Sequence, residues 1–105
     1  MTTVSGKPHQ IGDLSVVIFD FAEVGDILPL HTHSEVTVHI TIVAKGSFKA
    51  SGVDWEQVAK AGDVLDFAPY QPHEFVSLEA DSRIINIGKN VKLIMEQQLP
   101  FEAGK

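Results

Sequence analysis

The sequence predicts a single all-β domain, a sandwich or barrel of about eight strands. Three observations predict it. Apolar residues come in short runs broken by Gly, Pro, Asp and Ser, without helical spacing. Turn signals recur at short, regular intervals. Several runs, such as LSVVIFDF at 14–21, are rich in β-branched and aromatic residues. The chain has 105 residues, which fits one domain over 1–105 with tails at 1–12 and 89–105.

Taken in order, Met1–Gly12 reads as an arm or loop, and Leu14–Phe21 as a strand. Gly25-Asp26 is a turn signal. Ile27–His33 reads as a strand, and Pro29 inside it marks an edge or irregular one, because proline cannot donate to a ladder. Thr37–Ala44 (TVHITIVA) is a strong strand, ended by Lys45-Gly46. Ser47–Ser51 and Trp55–Ala59 read as extended segments around a hairpin turn at Gly52-Val53-Asp54. Ala61-Gly62-Asp63 is another turn, followed by a strand at Val64–Phe67. Ala68–Pro72 is a loop stiffened by two prolines. His73–Leu78 and Arg83–Ile87 are strands flanking the turn Ala80-Asp81-Ser82. In Lys89–Lys105, VKLIMEQQL suits a helical turn or two, closed by Pro100.

Two of these strands are apolar on both faces. Thr37–Ala44 places His39, Thr41 and Val43 on one side and Val38, Ile40 and Ile42 on the other. Ile84-Ile85-Asn86-Ile87 is similar. Such a strand must be covered on both sides, and in so short a chain a homodimer supplies the second cover.

Composition excludes several classes. The formal charge is −6, and Arg83 and the lysines are not clustered, so no basic face awaits nucleic acid. Cysteine is absent, which excludes a disulfide framework and a thiolate metal site. MTTVSGKPHQ lacks the pattern of a signal peptide, and no apolar stretch is long enough to span a membrane. A soluble cytoplasmic protein is expected.

The chemistry is concentrated in the histidines. His31 and His33 are spaced i, i+2, so on a strand both rings point the same way. His39 shares their parity, but six residues of straight strand cover roughly 20 Å, whereas metal–nitrogen bonds are about 2 Å. The chain must therefore turn at Ser34-Glu35-Val36 if all three share an ion. His73 follows Pro72, which restricts the backbone before it. These four histidines are expected to meet inside a β-barrel and hold one metal ion. Imidazole suits Zn, Fe, Ni, Mn or Cu. A single histidine in a strand is more often a hydrogen-bonded core or surface residue, and that is the reading for His9. For His39, flanked by Val38 and Ile40, a satisfied core histidine is a serious rival.

These residues resemble the cupin superfamily. Its first motif, G-x5-H-x-H-x3,4-E-x6-G, is matched by Gly25, His31 and His33. Counting back seven from Gly46 lands on His39, where the family usually has glutamate. The second motif, G-x5-P-x-G-x2-H-x3-N, is matched by Gly62 and His73. Ala68, Tyr70 and Ser77 replace its proline, glycine and asparagine. Regions 25–46 and 62–77 span half the chain. The resemblance implies a double-stranded β-helix, the cupin jelly-roll barrel, with a divalent transition metal near its mouth. His31, His33, His39 and His73 would be its ligands. Glu35 is the second candidate for the fourth position, and Thr37 a poor one. An insertion in the turn keeps the following strand intact, which favours His39.

The resemblance implies a metal-dependent enzyme acting on a small oxygen-rich or carboxylated molecule, of dioxygenase, isomerase or lyase type. The other class is a non-catalytic small-ligand binding or sensing module. Glu35 and Tyr70 are the candidate catalytic groups; each has an ordinary alternative as a solvated turn or loop residue. Phe75 and Ser77 share the face of His73, and core packing is the role expected of Phe75. Trp55 is expected to pack at a barrel end or a subunit contact. Arg83 is expected in a surface ion pair, and Asp63 and Asp66 on turns and solvent faces.

Overall fold

Leu14–Phe21 shows how the chain writes a strand. Ser15, Val17, Phe19 and Phe21 are buried, while Leu14, Val16, Ile18 and Asp20 are half-buried on the other side. The same alternation runs through most of the chain. The computed structural model describes residues 4–31, 39–67 and 71–89. Among them are nine strands and no helix: β1 (Val4–Ile11), β2 (Leu14–Phe21), β3 (Ile27–His31), β4 (His39–Lys45), β5 (Ser47–Ser51), β6 (Glu56–Lys60), β7 (Val64–Asp66), β8 (His73–Ser77) and β9 (Ser82–Gly88). All pairings are antiparallel. They build a five-stranded sheet in the order β1-β2-β9-β4-β7 and a four-stranded sheet in the order β3-β8-β5-β6.

The strands expected from 14–21 onward appear close to their expected bounds. β3 is the edge strand that Pro29 suggested, and it carries a register shift between Leu28 and His31. The first segment differs from expectation. Val4–Ile11 is not an arm but a strand paired with β2 along its whole length. Its polar composition has a physical cause. β1 is an edge strand, buried only at Val4, and so tolerates Lys7, Pro8, His9 and Gln10. A two-residue turn joins it to β2, with Gly12 at φ 59°, as type II′ hairpins require. The helical turns read in Lys89–Lys105 lie outside the described residues.

The core lies between the sheets. Phe19, Phe21, Phe48 and Phe75 are fully buried with Val43 and Ile84. Phe21 and Phe48 meet edge to face across the sandwich, with ring centroids 4.8 Å apart. Gly46, at φ 77°, lets β4 turn into β5 beneath Ser82; a Cβ there would collide with Ser82 Oγ and lie 2.7 Å from its Cβ.

The outward face of the five-stranded sheet is also apolar. Register aligns Ile18, Ile85, Ile42 and Val64 in one row across β2, β9, β4 and β7. Val16, Ile87 and Ile40 form the next, which ends at His9 on β1 and Asp66 on β7. Beyond them Arg83 and Asp20 pair at 2.7 Å on the exposed surface. The hydrogen bond and charge of Asp20 hold the Arg83 guanidinium above its ordinary pKa.

Candidate metal centre

β8 alternates His73, Phe75 and Ser77 inward, which puts His73 at one end of the barrel interior with 1% exposure. Three contacts fix its ring. Phe67, just beyond β7, stacks on it with centroids 4.1 Å apart and planes 10° from parallel. Phe75 meets it at 6.2 Å, edge on. Its Nδ1 lies 2.7 Å from the Gln71 carbonyl oxygen. A carbonyl can only accept, so Nδ1 carries a proton. Nε2 is buried. This is the second-shell arrangement that orients metal-binding imidazoles.

His39 opens β4 on the opposite sheet and is 5% exposed. Its ring centroid is 5.0 Å from that of His73. Its carbonyl accepts from Phe67 N–H at 3.1 Å, which ties the stacking phenylalanine to the same place. Two imidazoles from two sheets thus meet at one barrel end. The backbone of a third histidine comes alongside by register. β3 gains one residue against β8 between Leu28 and His31, and this sets the His31 backbone directly across from His73. Without the shift, Leu30 would stand there. The chain passes from β3 in one sheet to β4 in the other between His31 and His39, as a shared site requires.

His33, Glu35, Thr37 and Tyr70 lie outside the described residues. Among the described residues, no group of three or more His, Cys, Asp or Glu side chains is placed to hold an ion. The pair that is described consists of two buried imidazoles, and the Gln71 carbonyl fixes a proton on Nδ1 of one of them. His9 is exposed on β1, away from the site. Phe75 is core, as expected. Trp55 packs against Phe67 at 6.1 Å and lines a groove of about 420 Å³ with Gln57, Asp66 and Gln71. Asp63 accepts from Lys60 N–H in its turn.

Sequence reading passed over three other residues at this end. Ser15, Thr41 and Asn86 are fully buried polar residues on the inner face of the five-stranded sheet. The signal was present: Ser15 is the polar member of an otherwise apolar inward set, Val17-Phe19-Phe21, and Asn86 shares the inward face of β9 with Ile84.

No family model and no curated protein matches the sequence. Solved structures do. KdgF from Halomonas sp. superposes with a TM-score of 0.75 at 24% identity, covering 83% of this chain and 80% of that one. An RmlC-like cupin protein from Desulfovibrio desulfuricans gives 0.70 at 22% identity, covering 84% and 82%. Oxalate oxidase gives 0.76 at 14% identity, covering 88% of this chain and 53% of that one. By fold, the chain is a jelly-roll β-barrel similar to these cupin structures.

Proposed function

We propose that the chain is a metal-binding cupin in which His31, His33, His39 and His73 hold one divalent transition metal ion. The observation that carries the proposal is the pairing of His73 with His39. His73 has its proton fixed on Nδ1 by the Gln71 carbonyl, and a second buried imidazole from the opposite sheet lies 5.0 Å away. When bound, the ion would supply Lewis-acid chemistry to a small oxygen-rich or carboxylated molecule. The protein's own part is to hold the imidazoles oriented, through Phe67 and Gln71, and to exclude water with the apolar rings around them. KdgF and oxalate oxidase share the fold, which supports a metal-dependent enzyme of dioxygenase, isomerase or lyase type. Glu35 and Tyr70 are the proposed catalytic groups.

One observation favours the second reading, a non-catalytic binding or sensing module. Among the described residues the only buried carboxylate is Asp26. It bonds to Ser77 and Glu23 at the other end of the barrel, so no described acid or base stands beside the histidines.

Elemental analysis of protein purified without added metal tests the site. About one ion per chain is expected, lost in His31→Ala and His73→Ala. Metal loss in Glu35→Ala but not in His39→Ala would replace His39 with Glu35 as the fourth ligand. Wild type without metal, with unchanged uptake in all variants, would end the proposal. Turnover of a candidate hydroxy- or oxo-acid by the loaded protein would then separate enzyme from binder.

A second copy of the chain is proposed to cover the outer face of the five-stranded sheet. A two-fold axis along β9 would lay the Ile18–Val64 row on its own counterpart. It would also bring the β1 edge, with Lys7 and His9, over the β7 edge of the second copy, with Asp66. Sedimentation should give a dimer, and Ile85→Lys a monomer. A monomeric wild type would mean that another cover, such as residues 90–105, serves this face.

A further inference from the structure

The inner face of the five-stranded sheet is laid out in rows by its register. One row reads Ser15, Gly88, His39 across β2, β9 and β4; the next reads Val17, Asn86, Thr41. Beyond them come Phe19, Ile84 and Val43, all apolar. Polar groups therefore stand in the two rows at the histidine end, separated by this apolar row from Ser82, whose hydroxyl is bonded to the Glu79 carbonyl. Thr41 Oγ1 donates to Asn86 Oδ1 at 2.6 Å, which turns the amide oxygen toward β4 and leaves Nδ2 with both of its hydrogens. Asn86 Nδ2 and Ser15 Oγ are buried and have no hydrogen-bond partner among the described residues. Asn86 and Ser15 are each 1% exposed. A buried donor left unsatisfied costs about 1–3 kcal/mol. Two on adjacent rows of neighbouring strands are not an incidental packing fault.

Gly88 separates Ser15 from His39 and carries no side chain. Ser15 and His39 thus stand two strand spacings apart, about 10 Å, with Asn86 on the next row between them. Among the described residues no Lys or Arg side chain is buried there. The donors are neutral: an amide N–H pair and a hydroxyl. Such a set recognises oxygen lone pairs, and it suits a carboxylate only where a cation nearby balances the charge.

We propose that Ser15 and Asn86 form an oxygen-binding cradle beside the histidine site, which receives the hydroxyl or keto oxygen of a small hydroxy- or oxo-carboxylate. Thr41 positions the Asn86 amide by holding its oxygen. The cradle deepens the metal-site reading and rests on it for the balancing charge. It assigns to β2 and β9 the polar half of ligand recognition, and to the histidines the metal half.

The test is a titration of zinc-loaded protein with glycolate, and with propionate as the apolar control. The side-chain amide resonances of Asn86 are followed by NMR, with zinc content measured in parallel. A saturable shift of the Asn86 amide pair with glycolate and not with propionate is expected. Asn86→Leu should weaken glycolate at least about tenfold, or about 1.4 kcal/mol, with zinc content unchanged. Ser15→Ala should weaken it less. An unshifted Asn86 amide, or equal glycolate affinity in folded Asn86→Leu, overturns the cradle; these atoms then hold only an internal water. Should Asn86→Leu not fold, the wild-type amide shift and Ser15→Ala decide alone. A wild type that takes up no zinc defeats the metal-site reading instead. The metal-free titration then judges the cradle by the same amide shift.

Discussion

The two ends of the barrel interior treat buried polar groups in opposite ways. At the end away from the histidines, Ser77 Oγ donates to the Glu23 carbonyl at 2.6 Å and accepts from Asp26 N–H at 3.1 Å. Ser82 Oγ donates to the Glu79 carbonyl at 2.8 Å. These polar groups bind loops to strands, and the phenylalanines close over them. At the histidine end, Ser15 Oγ and Asn86 Nδ2 reach no partner among the described residues. Polar residues that complete the fold are satisfied by the fold; polar residues left over point to a ligand.

Substitutions that separate stability from binding would break or sharpen that contrast. The largest effect on stability is expected from Phe48→Ala at the closed end, about 3–5 kcal/mol by denaturant unfolding, with metal content per folded chain unchanged. Gly46→Ala should cost about 2–4 kcal/mol, because it combines a left-handed backbone with a collision against Ser82. Ser77→Ala should cost about 1–2 kcal/mol, since it removes two hydrogen bonds of a buried hydroxyl and leaves Asp26 N–H and the Glu23 carbonyl bonded to each other at 3.2 Å. The double variant Thr41→Val/Asn86→Leu removes a polar pair at the open end. It should change stability by less than about 1 kcal/mol, because no partner is left behind, while glycolate binding falls. Should it cost as much as Ser77→Ala, the two ends are alike and the contrast fails. Arg83→Ala removes an exposed ion pair and should leave the unfolding midpoint in place.

Much of this was legible in the chain. Strands with a clean alternation, such as Leu14–Phe21 and His73–Ser77, declare both their extent and their inward residues. Val4–Ile11 was not legible, because an edge strand buried at one residue has the composition of a loop. The histidine end was legible in His31, His39 and His73, through parity and the need for a turn between the first two. That β3 and β4 lie in different sheets was not, since local sequence does not specify which sheet a strand joins. The one-residue shift that sets His31 across from His73 was foreshadowed by Pro29 alone. Ser15 and Asn86 escaped notice because their apolar neighbours dominate the reading of each strand.

Phe67 stands between two places. One face of its ring stacks on His73, and Trp55 lies 6.1 Å from its centroid, along the groove. Trp55 is the only tryptophan in the chain. The protein therefore carries its own optical gauge. Ultraviolet excitation reads a single indole, one ring removed from the imidazole that would hold the metal. An open-shell ion at that imidazole would dim this emission, and a closed-shell ion would leave it bright. A fluorimeter could then follow the loading of the barrel, and sort the ions that enter it, without any label.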